Sequence, residues 1–266
     1  MNRTDPANWL RLLDAVCAKV HRTQVDFLID QVGIDVPLLA GIRTMTPRMP
    51  WHALFDGLPE AGHTELSPLL VRIDLAQPLQ RHWLEDLIEV FGGDARLLAL
   101  VSTWPFQRLG EHLGQCLEAR NGGVSGVLRY YDPRLFPLLF SHVLTPEQQQ
   151  RLLHPALIWS WLDRDGILRR LAGASTAAAR VETPPPCELS DAQIDVLCCA
   201  ADACAALDRV GAALPEAWGA EQRFRACYQA MLDVSEAGPM ATAQSDALLL
   251  DKLLAARAGL QGGGRA

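Results

Sequence analysis

From Leu69 to Tyr131 the apolar residues switch repeatedly between two spacings, and few folds accommodate that switching. Pro78 to Phe91 carries Leu79, Trp83, Leu87 and Phe91 at intervals of four, the repeat of a helix with one apolar face. Gly92-Gly93 then supplies a left-handed stop. Residues 96–101 form a short, nearly unbroken apolar run, the pattern of a strand covered on both faces. Helical spacing returns from Pro105 to Arg120 through Phe106, Leu109, Leu113, Cys116 and Leu117, closed by Asn121-Gly122-Gly123. A further strand, 124–131, follows. Strands alternating with helices of this length imply crossover connections. The expected class is therefore α/β, a mixed, largely parallel sheet flanked by helices, followed by a smaller all-helical lobe.

The rest of the chain extends that pattern. Trp9, Leu13, Val16 and Val20 predict an amphipathic helix over 6–22, capped by Thr4 or Asp5. Residues 25–30, 51–55 and 69–73 read as strands, with a short helix near 36–42. Thr145 and Gln148 form a capping box, and 156–162 with 167–171 reads as a hairpin turning at Asp163-Arg164-Asp165-Gly166. The organisation expected is an α/β lobe over 1–172, a linker over 173–187, a helical lobe over 188–260 and a disordered tail over 261–266. Helices are expected from Ser190 (capping box with Gln193, staple between Leu189 and Ile194) to about Gly211, over 220–237, and over 242–260.

Charge narrows the function classes. The net charge is −7, against the basic face that phosphate contacts require, so no nucleic-acid partner is expected. Acidity concentrates late: 17 basic residues face 19 acidic ones up to Ala172, and seven face 12 beyond it. No run of about 18 apolar residues occurs and the first residues do not lead into a signal-peptide core, so a cytoplasmic protein with no membrane partner is expected. The seven cysteines lack paired C-x-x-C spacing, which favours reduced, buried thiols over zinc.

Catalytic patterns are incomplete. Gly123-Val124-Ser125-Gly126-Val127 lacks the last glycine of a nucleophile elbow, and as a phosphate loop it lacks the lysine. Asp163-Arg164-Asp165-Gly166 begins like a calcium loop, but Ala174 stands where the bidentate glutamate belongs. The seven histidines show no H-E-x-x-H spacing. No catalytic residue, metal ligand or cofactor is expected.

The junction Arg129-Tyr130-Tyr131-Asp132-Pro133-Arg134 concentrates the remaining chemistry. Val124, Val127, Leu128, Tyr130 and Tyr131 suit a buried strand. Asp132 can cap a following helix whose first residue is Pro133. Arg129 and Arg134 then bracket a carboxylate at the carboxyl end of a strand, where open α/β sheets bind ligands. Trp104, Trp159 and Trp161 are core candidates, or anchors for a partner, since Trp and Arg dominate binding hot spots.

This junction, followed by an apolar helix and a Trp-rich segment ending at Asp163-Arg164-Asp165-Gly166, resembles the type VI secretion effector-adaptor family, whose members carry the domain of unknown function 4123. Val25–Asp30 is similar to that family's first strand, Trp51–Gly57 to its aromatic-Asp-Gly segment, and Ser67-Pro68-Leu69-Leu70-Val71 to its next strand, with Ser67 replacing a glycine. Ser102, Leu109, His112 and Leu113 resemble its helix entry. The resemblance implies a non-catalytic, cytosolic adaptor-chaperone of two lobes, which binds a toxic effector and loads it onto the valine-glycine-repeat spike. Partner contacts are then expected near Arg129, Tyr131, Asp132, Arg134, Trp104, Trp159 and Trp161. Two other readings are a small-molecule-binding or hydrolytic α/β enzyme using Asp30, Asp56 and Asp132, and an immunity protein that binds a toxin.

Overall fold

The computed structural model describes residues 6–34, 38–175, 185–211 and 214–236. The expected helix over 242–260 and the tail after it lie outside the described residues. The chain divides into two compact units, 1–189 and 190–266.

In the first unit, helix α1 (Pro6–Lys19) buries Trp9, Leu10, Leu13 and Cys17. Strands β1 (Gln24–Ile29), β2 (Trp51–Ala53), β3 (Leu69–Asp74) and β4 (Leu97–Ser102) follow, with α2 (Leu38–Thr44) before β2 and α3 (Pro78–Phe91) between β3 and β4. Then come α4 (Phe106–Gln115), β5 (Glu118–Asn121), β6 (Val124–Val127), α5 (Phe136–Leu138) continued by a π-turn over Leu139–Val143, and α6 (Pro146–Leu153). Strands β7 (Ala156–Leu162), β8 (Leu168–Ala172) and β9 (Cys187–Glu188) complete the unit.

The main sheet has the order β2-β3-β1-β4-β7-β8, and every neighbouring pair in it is antiparallel. The expectation of a largely parallel sheet is thereby overturned. Its premise holds in part: α3 joins β3 to β4, and those two strands run the same way. Both are antiparallel to β1, however, and β1 lies between them, so the crossover spans an intervening strand. The unbroken apolar runs that suggested parallel strands reflect burial on both faces, which an antiparallel sheet also achieves when helices cover each side. One face presents Val25, Phe27 and Ile29 with Ala99 and Val101 to α1 and α3. On that face Trp9 donates through Nε1 to Ser160 Oγ at 2.8 Å and lies 5.4 Å from the Phe27 ring. The other face carries Trp159 and Trp161, opposite Leu100 and Leu98, beneath the Phe136 ring.

Several local expectations also change. The helix expected to reach Arg120 stops at Gln115, and Asn121-Gly122-Gly123 closes a hairpin between β5 and β6. Gly122 and Gly123 sit at φ +53° and +88°, the doubly left-handed pair that a two-residue hairpin turn requires. Gly92 is right-handed, and the left-handed residue after α3 is Ala95, at φ +53°. β5, β6 and β9 form a small second sheet in the order β6-β5-β9, with β9 parallel to β5. The hairpin β7–β8 forms as expected, its turn held by Asp163 Oδ1, which accepts from the Asp165 and Ile167 N–H groups. The Thr145–Gln148 capping box is present.

In the second unit, α7 (Asp191–Val210) begins at the expected Ser190–Gln193 capping box, and α8 (Ala220–Glu236) packs on it. Ala200, Ala203 and Ala206 on α7 are buried, as are Phe224 and Tyr228 on α8, whose rings stack at 5.8 Å.

Thiol chemistry follows from this packing. Cys198 and Cys204 are exposed on α7, whereas Cys17, Cys116, Cys187, Cys199 and Cys227 are buried. Burial pushes the Cys116 thiol up to about 12 and those of Cys17 and Cys227 to about 11, so little nucleophilic thiolate forms there. Titration with an aromatic disulfide reagent at pH 8 should consume two thiols quickly and the other five only after denaturant is added. Four or more fast thiols would contradict this packing.

Candidate functional site

The strand expected over 124–131 ends early. β6 is largely exposed, the chain turns at Arg129, and Tyr130 N–H donates to Leu128 O at 2.8 Å. What is buried is the turn itself: Leu128, Tyr130, Tyr131 and Asp132 all lie in the interior. Tyr130 donates its hydroxyl to Leu113 O at 2.7 Å, tying the turn to α4, and burial raises its phenol well above the ordinary value. Tyr131's phenol is raised too, first by burial, with the nearby Arg129 charge opposing.

Asp132 works as the cap the sequence implied, but for an irregular turn. Its Oδ1 accepts from the Arg134 N–H at 2.9 Å, its backbone carbonyl receives the Leu135 and Phe136 N–H groups, and α5 begins only at Phe136. Pro133 therefore starts a turn ahead of α5. Arg134 doubles back to clasp the same carboxylate in two bonds, Nε to Oδ1 at 3.0 Å and Nη2 to Oδ2 at 2.8 Å.

A second buried carboxylate joins this one. Asp30 follows β1; its Oδ1 accepts from Val32 N–H and its Oδ2 from Arg129 Nη2, both at 3.1 Å. Arg129 stands 3.9 Å from Asp132 Oδ2 and lies over the Tyr131 ring at 5.6 Å. The result is a layered cluster: carboxylates beneath, two guanidinium groups above at 46% and 48% side-chain exposure. Ion pairs this exposed contribute about 0–1 kcal/mol each. Their main effect is to satisfy the carboxylates while presenting positive charge outward. The sheet's direction removes the ligand-binding strand edge expected at this junction. At this edge the end of β1 lies beside the starts of β3 and β4, so strand carboxyl ends are not gathered in a row.

The other sequence-predicted residues sit elsewhere. Asp56 is exposed in the turn after β2. Trp104, Trp159 and Trp161 are all buried, and the structure distributes them through the core. Trp104 packs edge-on against His112 and His154 at 5.2 and 5.4 Å. His112 lies 2.7 Å through Nε2 from Arg151 O, so that nitrogen carries the proton and the ring links α4 to α6; burial lowers its pKa. Among the described residues no three His, Cys, Asp or Glu side chains are placed to hold a metal ion, and no helix is long and apolar enough to cross a membrane.

A buried ion pair escaped the sequence reading. Asp26 on β1 and Arg72 on β3 are direct cross-strand partners, bonded at 2.7 and 2.8 Å, and Arg72 Nη1 also donates to Trp104 O at 3.2 Å. The available signal was one charge in each of two otherwise apolar runs, Val25-Asp26-Phe27 and Val71-Arg72-Ile73, of opposite sign.

No curated protein and no solved structure matches the chain. A family model does: residues 27–151 match the family described as Domain of unknown function (DUF4123). The matched stretch runs from within β1 into α6 and holds Asp30, Arg72, Trp104 and the whole Arg129–Arg134 turn. Over those residues the chain is similar to that family.

Proposed function

We propose that this protein is a non-catalytic adaptor that binds a type VI secretion effector in the cytosol and loads it onto the spike protein. The observation that carries the reading is the family match over 27–151, inside which the buried Asp30 and Asp132 support an outward-facing pair of arginines. Charges arranged in this way steer a partner's approach and set its register more than they raise affinity. The full chain, co-expressed with a candidate type VI effector and spike protein from the same source, should retain the effector through affinity purification and gel filtration, and the effector-bound form should capture the spike. Capture of neither protein, or turnover of a substrate by the purified chain, would overturn the reading.

A further inference from the structure

The edges of the two sheets differ in how they are guarded against pairing with another chain. β8 carries Arg169 and Arg170, β2 is three residues long and follows Pro50, and β9 is two residues long and follows Pro185-Pro186. Charge, proline and shortness are the ordinary protections of an edge strand. β6 has none of these beyond a modest length. It reads Val-Ser-Gly-Val, carries no charge and no proline, and pairs with β5 in an unbroken register. Among the described residues no strand lies on its outer side. Val124, at 73%, is the most exposed large apolar side chain among them.

Register fixes which backbone groups face outward. The two-residue turn makes Asn121↔Val124 a hydrogen-bonded pair, so Ala119↔Gly126 is the next, and the Leu128 N–H to Leu117 O bond at 2.8 Å continues that phase. The N–H and C=O groups of Ser125 and Val127 therefore point away from β5, at the spacing an added strand would match. Two residues beyond Val127 stands Arg129, its guanidinium turned outward above Asp30.

We infer that β6 is a docking edge for an extended segment of the bound partner protein, added antiparallel to β6, uncharged where it faces Ser125–Val127 and carrying a carboxylate where its start reaches Arg129. This rests on the adaptor reading for the identity of the partner, and on the edge alone for the mode of binding. The backbone supplies hydrogen bonds that any extended chain can make, and the arginine supplies direction. A second copy of this chain is the poorer occupant: four residues of edge bury far less area than the roughly 1,200–2,000 Å² of a stable interface, and a second β6, Val-Ser-Gly-Val, brings Arg129 no carboxylate beyond the Asp30 it already holds.

The probe is an acetylated, fluorescein-labelled peptide, Asp-Thr-Val-Thr-Val-Thr, titrated into the full chain by fluorescence anisotropy. Ser125→Pro removes an outward N–H and leaves the β5 ladder intact; it should weaken binding about tenfold or more. Ser125→Lys, which introduces a natural edge guard, should also weaken it if the proline variant folds poorly. Replacing the peptide's first residue by lysine, or Arg129→Gln, should weaken it about threefold. Absence of saturable binding, or binding that neither Ser125 variant reduces, overturns the inference. So does a wild-type dimer in sedimentation that Ser125→Pro dissolves, since the edge would then belong to a second copy. Co-expression separates the two readings: an effector held equally by wild type and Ser125→Pro removes the edge while sparing the adaptor. An effector that wild type fails to hold removes the adaptor, and the peptide titration alone then decides the edge.

Discussion

Arg72→Met should destabilise the first unit by about 3–5 kcal/mol, the usual cost of leaving one partner of a buried ion pair uncompensated. Asp26 is fully buried and Arg72 nearly so, and the pair joins two interior strands of the sheet, β1 and β3. Losing Arg72 strands the carboxylate and removes the donor to Trp104 O and the guanidinium above the Phe106 ring. Replacing both members by leucine should recover much of the loss, because the desolvation cost of the charges disappears with them. The sign of the pH dependence follows from Asp26. Burial already pushes its carboxyl above the ordinary 3.8, with Arg72 pulling it back. Without Arg72 it rises further. A carboxyl with a folded pKa above its unfolded one favours the folded state below the unfolded value, and loses that advantage as pH rises through the folded value. The Arg72→Met deficit should therefore be largest near pH 7 and shrink on acidification toward pH 5. Urea unfolding followed by tryptophan fluorescence reports it, since six of the seven tryptophans lie in residues 1–189. A loss under about 1 kcal/mol, or a deficit that grows in acid, would contradict the account.

That pair also marks where the sequence stopped being legible. Local signals with a single physical cause were readable: the apolar stripe of α1, the capping boxes at Thr145 and Ser190, and the turn of β7–β8 at Asp163 all form. Helix α3 forms as well, but of the expected stripe Leu79, Trp83, Leu87 and Phe91 only Leu87 is buried; Gln80, Leu84 and Ile88 complete the inner face and Leu79 is 62% exposed. Direction was not. A run such as Leu97–Ser102 records that both faces are covered and says nothing about which way its neighbours point, because antiparallel partners bury it equally well. Asn121-Gly122-Gly123 failed for a related reason: left-handed glycines serve helix ends and hairpins alike, and only the pairing of β5 with β6 separates the two. At the junction, the Asp132 cap and its Arg134 partner could be anticipated because they are two residues apart. Asp30 lies 99 positions from Arg129 in sequence, and only the fold brings it there.

Trp159→Ala separates a core tryptophan from a partner anchor. The side chain is fully buried, lies 5.1 Å from the Phe136 ring, and donates through Nε1 to Leu152 O at 3.1 Å. Truncation leaves a large cavity beside Phe136 and an unsatisfied carbonyl, for a cost of about 3–5 kcal/mol. Trp159→Phe keeps a ring in the site and loses mainly the hydrogen bond, for about 1–3 kcal/mol. An anchor on a docking surface behaves in the opposite way, losing partner affinity with little loss of stability. In Trp159→Ala any loss of effector capture should therefore follow the unfolded fraction measured at the same temperature, and cooling should restore it. Arg134→Gln is the complementary variant: its guanidinium is half exposed, so its removal alters the presented charge, and Asp132 keeps the residue-134 N–H and the Arg129 charge at 3.9 Å, so the stability loss should be smaller than that of Trp159→Ala. A Trp159→Ala protein that unfolds at the wild-type urea midpoint yet no longer holds its partner would place this tryptophan at the interface and undo its assignment to the core.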